Sequence, residues 1–361
     1  MKFSRFASVI LGALLSLTSC ATTPGGPSTG GVASVGDTAR YLAGLPGTPR
    51  GDLALPRNSE AWKAHAARMD ALWSVQSGRQ SHLRTFRHEL GGLGSPGVLF
   101  YPFGGPDYLH ASTLFPGARS YVLVGLEGVE SMPELSSLSA AELQRGLGGV
   151  ANALRTVTGA SYFITTEMRS DLSSTSLRGT LPLLLAQIAR DGKTVTSIEA
   201  VGLDAAGHLV SRNSEASCPG WHIRAGGKNI FYFRKDLSNG GIGDRRLLKF
   251  VSSKGSPVTF VKSASYLMHQ GNFSIIRDYI AQSSRGLVQD PSGVPYRTLV
   301  EAGWNLKLHG NYCGAGSPFT GHTQPDLVAA YANGSHPVKS MSFGFGYLLD
   351  PKRTCMIVGH R

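Results

Sequence analysis

Pro96-Gly-Val-Leu-Phe-Tyr-Pro-Phe-Gly-Gly-Pro-Asp107, followed after a gap by Ser120-Tyr-Val-Leu-Val-Gly-Leu-Glu127, is the stretch on which the reading of this chain turns. Val98, Leu99, Phe100 and Tyr101 form an apolar run that stops at Pro102 and Gly104-Gly105-Pro106, the pattern of a buried strand ending in a tight turn. Residues 121–126 form a second such run, stopped by Glu127. Between them, residues 107–114 supply about two helical turns, enough for the crossover of a parallel βαβ unit. In that topology the Gly-Gly-Pro-Asp turn and Glu127 share one sheet edge, and open α/β sheets hold ligands at the ends of their strands.

The expected pocket at that edge is lined by Tyr101, Asp107, Tyr108, Glu127, Asp290, Tyr296 and Arg297. Asp107 is either a base or hydroxyl-binding group, or the N-cap of a helix beginning at Tyr108. Glu127 is either an acceptor for ligand hydroxyls or a cap or salt-bridge partner. Asp290 and Arg297 bracket Pro291-Ser292-Gly293-Val294-Pro295, a turn stiffened by two prolines. They either pair across the loop, or Arg297 holds an anionic group while Tyr296 lines the pocket. Lys262 and His269 lie in or just after an apolar run. Lys262 is either an active amine or a side chain reaching out from a strand end.

Outward from the central stretch, Asn58-Ser59-Glu60 offers an N-cap, and Trp62, Ala66, Met69 and Trp73 recur at helical spacing. Ser139 and Glu142 have capping-box spacing ahead of Leu143, Leu147, Val150, Ala151 and Leu154 on one helical face. Residues 162–166 read as a short strand, and Leu181, Leu184, Leu185 and Ile188 as a helix. Val195–Leu203 is β-branched and reverses through Asp204-Ala-Ala-Gly207 into Leu209-Val210. From Ile230-Phe-Tyr-Phe233 onward the pattern shifts toward antiparallel pairing. Asn272 is placed to cap a helix, and residues 304–308 and 340–347 suit a terminal strand pair. No period of a repeat architecture occurs.

At the other end, Lys2 and Arg5 precede an apolar run over residues 7–17 and the tetrapeptide Leu17-Thr18-Ser19-Cys20. This is a secretory signal, too short to span a bilayer as a helix. Leu-Thr-Ser-Cys resembles the lipobox of bacterial lipoproteins. The resemblance implies that residues 1–19 are a lipoprotein signal peptide and that Cys20 carries the lipid anchor. Ala21 in place of Asp implies, by the sorting pattern of such lipoproteins, the outer membrane, with the domain facing the periplasm. Residues 20–36 then form anchor and tether, because Thr, Pro, Gly and Ser cannot bury enough surface to fold, and the body sits ~20 Å from the membrane. Residues 37–95 read as a helical segment packed on the body, and 96–361 as one α/β domain.

Removing Lys2 and Arg5 takes the basic residues from 35 to 33 against 23 acids, a net charge of +10. In an exported chain this charge either serves mainly to keep the protein soluble, since no block of five like charges occurs, or favours anionic envelope ligands or lipid head groups, and it excludes nucleic acid as a partner. Cys218, Cys313 and Cys355 allow one disulfide and a leftover thiol, with Cys313–Cys355 preferred. His309, Cys313 and His322 lack the close second pair of a zinc site, so no metal is expected. Gly-x-Ser-x-Gly, His-Glu-x-x-His and Gly-x-x-x-x-Gly-Lys-Ser/Thr are all absent from the sequence.

Strand–helix alternation over residues 97–347, an acid after the second strand and paired strands at the end resemble the layout of class I methyltransferase folds. That implies a Rossmann-like, mostly parallel sheet with helices on both faces and an antiparallel C-terminal portion. The turn Pro102-Phe-Gly-Gly-Pro106 departs from that family's acid-plus-glycine motif, so no nucleotide cofactor is expected. Tyr101-Pro-Phe-Gly-Gly-Pro-Asp107, Phe115-Pro-Gly-Ala118, Lys262-Ser-Ala-Ser-Tyr-Leu-Met-His269 and Gln289-Asp-Pro-Ser-Gly-Val-Pro-Tyr-Arg297 also resemble an uncharacterised bacterial envelope-protein family, which implies one unit and no particular activity. The expectation is therefore a membrane-tethered lipoprotein that binds an envelope ligand or partner. The alternatives are a hydrolase or transferase of envelope material with Asp107 or Glu127 as base, and a purely structural lipoprotein.

Overall fold

The computed structural model of the chain describes residues 33–47, 53, 57–160, 175–212, 217–334 and 336–361. Cys20, the tether up to residue 32 and the strand-like run at 162–166 lie outside the described residues. The principal elements begin with α1 (Val35–Leu42), α2 (Glu60–Phe86), β1 (Val98–Tyr101), α3 (Tyr108–Leu114), β2 (Ser120–Gly125), α4 (Ala140–Ala160) and α5 (Leu181–Arg190). Next are β3 (Val195–Leu203), β4 (Leu209–Ser211), β5 (Ser217–Ala225), β6 (Lys228–Arg234), α6 (Asn239–Ile242), α7 (Arg246–Ser253), β7 (Val258–Val261) and α8 (Ser274–Ser283). Then come β8 (Gly286–Gln289), α9 (Tyr296–Glu301), β9 (Asn305–Gly310), α10 (Pro325–Asn333), β10 (Val338–Lys339) and β11 (Cys355–His360).

β1 and β2 run parallel, with Leu99 opposite Tyr121 and Tyr101 opposite Leu123. Every residue of β1 is buried, as a strand covered on both faces requires. Val98, Phe100, Val122 and Val124 join one apolar cluster, while Leu99, Tyr101, Tyr121 and Leu123 join another. This period-two alternation separates two cores on opposite faces of the sheet, giving helix layers on both sides. Residues of α1 and α2, including Tyr41, Leu42, Met69 and Phe86, belong to the same cluster as Leu99.

Among the described residues one eleven-stranded sheet has the order β10-β9-β11-β8-β7-β1-β2-β6-β5-β3-β4. Its centre, β8-β7-β1-β2-β6, is parallel throughout. The shift to antiparallel pairing expected at residue 230 is therefore corrected: β6 pairs parallel with β2, and β7 and β8 extend the parallel block. Antiparallel pairing lies at both flanks, through β5, β3 and β4 on one side and β11 on the other. The crossovers through α7 and α8 separate β6, β7 and β8 far enough in sequence to return in the same direction.

The expected terminal pair also needs correction. β9 pairs antiparallel with β11, and residues 340–347 are a loop carrying a single bridge between Phe345 and Leu348. Cys-Met-Ile-Val-Gly-His at 355–360 is the more continuous apolar run, and it takes the buried place between β8 and β9.

Local signals act as the sequence suggests at two helix starts. Ser59 caps α2 by accepting from Trp62 N at 3.2 Å. Ser139 N donates to Glu142 at 2.9 Å while Glu142 N donates back to Ser139 Oγ at 3.3 Å, a closed capping box. α8 has no side-chain cap of its own. Asn239, distant in sequence, accepts from Ile275 N at 3.0 Å instead of Asn272. Cys218, Cys313 and Cys355 are free thiols, which corrects the preferred disulfide. Cys355 is enclosed at the head of β11 and Cys313 is exposed, so the two sulfurs occupy different environments. No described helix is long and apolar enough to cross a membrane.

Candidate functional site

Because β1, β2, β6 and β7 are parallel, the segments following them converge on one rim. The turn after β1 folds back onto the end of β2, with Gly105 N donating to Val124 O at 3.0 Å. Gly105 sits at φ +58°, and a Cβ on Gly125 would lie 2.7 Å from Gly105 Cα and 2.1 Å from Glu127 Oε2. Only two glycines allow the backbones to approach this closely and leave room for the carboxylate. Gly125→Ala is therefore expected to cost about 1–3 kcal/mol through overpacking, against less than about 0.5 for Gly92→Ala, whose added methyl meets open space. Urea unfolding of the two variants checks this, and equal midpoints would show that the rim tolerates a side chain.

The rim encloses a cleft of about 440 Å³. Phe103, Leu126, Phe273, Phe319 and Tyr347 give it apolar walls, and Glu127, Lys235, Ser263 and Ser265 give it polar groups. Glu127 is buried, and Tyr232 Oη of β6 donates to its Oε2 at 2.9 Å. Burial, with Glu127 alongside, lifts the Tyr232 phenol well above its ordinary value, so it stays a donor at neutral pH.

The loop after β7 is held in an unusual shape. Ser263, Ser265 and Tyr266 have φ near +55°, at +55°, +52° and +54°, and Phe103 across the cleft has φ +64°. The strained loop is fixed by Asp290, whose Oδ2 accepts from Ser263 N at 2.9 Å, and by Ser292 Oγ, which accepts from Ala264 N at 2.7 Å. Tyr347 Oη accepts from Ser265 N at 3.1 Å and donates to Ser263 O at 2.8 Å. Burial raises the Asp290 carboxyl, while the Ser292 hydroxyl and the Ser263 and Ser292 amides pull it back.

Asp107 behaves as a buried hub. It caps α3 by accepting from His110 N at 3.2 Å, and it accepts from Tyr101 Oη at 3.0 Å, His110 Nδ1 at 2.9 Å and Lys262 Nζ at 2.6 Å. Burial alone would raise its carboxyl, but the neighbouring His110 and Lys262 outweigh that and hold it well below the ordinary carboxylate range. Burial lowers the Lys262 amine, opposed by the Asp107 charge. Every oxygen of Asp107 is engaged, so it is not a base open to the cleft.

Of the seven expected lining residues, Glu127 alone lines this cleft. Asp290 and, through Lys262, Asp107 and Tyr101 brace its wall. Tyr108 points elsewhere, its Oη donating to Asp191 at 3.2 Å. Tyr296 pairs with His336 at 2.7 Å, and exposed Arg297 pairs with Glu301 at 2.8 Å along α9. Both border a separate shallow depression with Pro325 and Asp326, so neither the Asp290–Arg297 pair nor their place in the pocket is found. The reason is local: residues after Pro295 begin a helix that turns them away.

Lys235, Ser263, Ser265 and Phe319 were not expected from sequence. The first three directly follow the apolar runs of β6 and β7, and would be legible to any reading that made those strands parallel. Among the described residues no three His, Cys, Asp or Glu side chains gather as metal ligands. His322 stacks on Tyr266 at 5.2 Å and His309 packs edge-on to Phe86 at 5.0 Å. No family model, curated protein or solved structure matches the chain.

Proposed function

We propose that this is a membrane-tethered lipoprotein, anchored through Cys20, whose domain binds a hydroxyl-bearing envelope ligand with an apolar body in the strand-end cleft. The fold we infer is Rossmann-like with a methyltransferase-like order. Supporting it, β1, β2, β6, β7 and β8 taken as one to five lie as 3-2-1-4-5, the order of doubly wound nucleotide-binding sheets. β9 follows as a sixth strand, with antiparallel β11 inserted before it.

The observation that carries the binding reading is the concentration of left-handed non-glycine residues, Phe103, Ser263 and Ser265, on the two walls of one cleft. Backbone strain of this kind persists where the surroundings over-determine it, and it gathers at ligand clamps. Glu127 is the acceptor for a ligand hydroxyl, and the aromatic walls take the apolar body. The engaged oxygens of Asp107 favour binding over hydrolysis with that residue as base.

The test is a thermal-shift and calorimetric screen of the full chain against saccharide and peptide fragments of the envelope. A ligand found this way should lose about tenfold in affinity in Glu127→Gln, the loss of one charge-assisted hydrogen bond. Arg297→Ala should bind as the parent does. Cys20→Ser should move the protein to the soluble fraction without changing affinity. No shift with any fragment, or equal binding by Glu127→Gln, overturns the cleft reading, and a parent chain already soluble overturns the anchor.

A further inference from the structure

The rim opposite the strand-end cleft is where β1, β2, β3, β6, β7, β8 and β9 begin and where β5 and β11 end. Its segments interlock along the sheet. Gly226 N donates to Thr194 O at 3.2 Å, Asn229 N to Arg119 O at 3.0 Å and Arg119 N to Pro96 O at 3.2 Å. Arg285 N donates to Pro257 O at 2.9 Å and Arg361 N to Arg285 O at 3.2 Å. These strand ends, residues 95–97, 117–119, 192–194, 224–228, 254–257, 283–285, 302–304 and 361, hold seven Lys or Arg and no Asp or Glu. The bases are scattered in sequence, and the sheet gathers them.

Arg224 is paired with Glu199 at 2.8 Å. The others, Arg119, Lys193, Lys228, Lys254, Arg285 and Arg361, form no ion pair among the described residues. Arg361 donates to the neutral Gln282 carbonyl and Lys254 lies over the Phe250 ring at 4.9 Å, so both keep their charge. The acids adjoining these segments, Asp191 and Glu301, are engaged by the Tyr108 hydroxyl at 3.2 Å and by Arg297 at 2.8 Å. At ~4.8 Å between neighbouring strands, the row from β3 to β11 runs for ~34 Å. Helix C-termini each attract a base, and α5, α7 and α8 end ahead of Lys193, Lys254 and Arg285. Arg119 lies beyond the last turn of α3, Lys228 opens the second strand of a hairpin and Arg361 follows a strand, so helix ends do not account for the row.

The described chain also enters the domain at this rim. A Cβ on Gly36, in the first turn of α1, would lie 3.1 Å from Val195 O and 3.6 Å from Thr194 Cγ2, next to Lys193 in the chain. A domain tethered through Cys20 therefore presents this rim, and not the cleft, to its membrane. We propose that the row is a docking face for an anionic lipid bilayer, its six cations lying along the head groups with the strand-end cleft turned outward. Only that orientation uses the anchor; the face depends on neither the anchor nor the cleft's ligand. Each Lys or Arg beside an anionic surface brings about a fivefold gain in partitioning, which salt screens.

The test uses the full chain carrying Cys20→Ser, so that no acyl chain contributes. It is sedimented with vesicles of phosphatidylcholine alone and of equal parts phosphatidylcholine and phosphatidylglycerol. The readout is the gain in affinity that phosphatidylglycerol brings, which removes any adsorption that ignores charge. A gain of about a hundredfold is expected at low ionic strength. Arg119→Gln with Lys228→Gln and Arg285→Gln should lose at least tenfold of it. Lys249→Gln with Lys352→Gln and Arg353→Gln removes the same charge toward the opposite rim, where Lys249 reaches Ala205 O and the other two precede β11. That variant should lose less than about threefold. No gain with phosphatidylglycerol, or equal losses in the two triple variants, overturns the proposal. Heparin binding as tightly as the vesicle through the same three residues overturns it too, by assigning the row to a soluble polyanion. The replaced side chains lie at the surface, so folding is not at risk, and a failed anchor leaves the result unchanged because Cys20 is already replaced.

Discussion

Lys262→Met is expected to lower the stability of the domain by about 3–5 kcal/mol, the cost of leaving a buried carboxylate without its counter-ion. Both side chains of the Lys262–Asp107 pair are 1 % exposed, so water cannot replace the ammonium. Met matches the length and apolar stem of Lys, so packing changes little and the loss reports the charge. Asp107 stays ionised in the parent because His110 and Lys262 hold it low. Its contribution is therefore full above the ordinary carboxylate range and is lost only as pH falls well below it.

The double variant Lys262→Met with Asp107→Asn distinguishes charge from geometry. Asn retains the cap on His110 N and removes the uncompensated charge, so at least half of the loss should return. Urea unfolding of the parent, both single variants and the double variant gives the coupling. A single-variant loss under about 1 kcal/mol would show that the pair is hydrated or unneeded.

The second large effect is acid destabilisation above the carboxylate range. Burial depresses His309 to about 4, with Lys339 and Lys307 adding to it and Glu89 opposing, and burial with His322 depresses His269 to about 4. The Nε2 atoms of both are enclosed without a hydrogen-bond partner. The unfolded chain takes up these protons first, near pH 6.5, so stability falls as pH drops from about 6.5 to about 4. His309 is 1 % exposed, and alone it accounts for about 1.4 kcal/mol per pH unit, about 3 kcal/mol in all. Asp290 and Asp191, raised by burial, work in the opposite direction and offset part of this. Unfolding midpoints from pH 7 to 4 should decline, with a shallower slope in His309→Gln. Parallel profiles for the two proteins would rule out His309 as the source.

What the sequence made legible is the local unit. The apolar runs at 98–101 and 121–126, with a crossover too short for anything but one helix, specify parallel neighbours and place the bend and Glu127 on one rim. Contacts between distant residues were not legible. Asp107 meets Lys262 and Glu127 meets Tyr232 across 155 and 105 residues, separations at which no spacing rule operates. So the cap that Asp107 provides to the helix at Tyr108 was legible, while its burial against Lys262 was not. Tyr296 and Arg297 failed for a different reason: they stand next to a turn that does brace the cleft, but the chain enters a helix at that point and carries them away. The direction of β6, β7 and β8 depended on which partner each strand found, and apolar runs alone do not encode that choice.

The place of β11 carries its own consequence. This strand follows all the other strands of the sheet in the chain yet sits inside it, between β8 and β9, so the flank β9-β10 touches the parallel block only through it. A nascent chain emerging from its N-terminus can assemble β1, β2, β6, β7 and β8 in order of appearance, but that flank has nothing to hold until residues 355–360 arrive. Closure of the sheet is thus a late, long-range event in the life of each molecule, and a chain shortened by this one strand would expose β8 and β9 as edges in addition to β10 and β4.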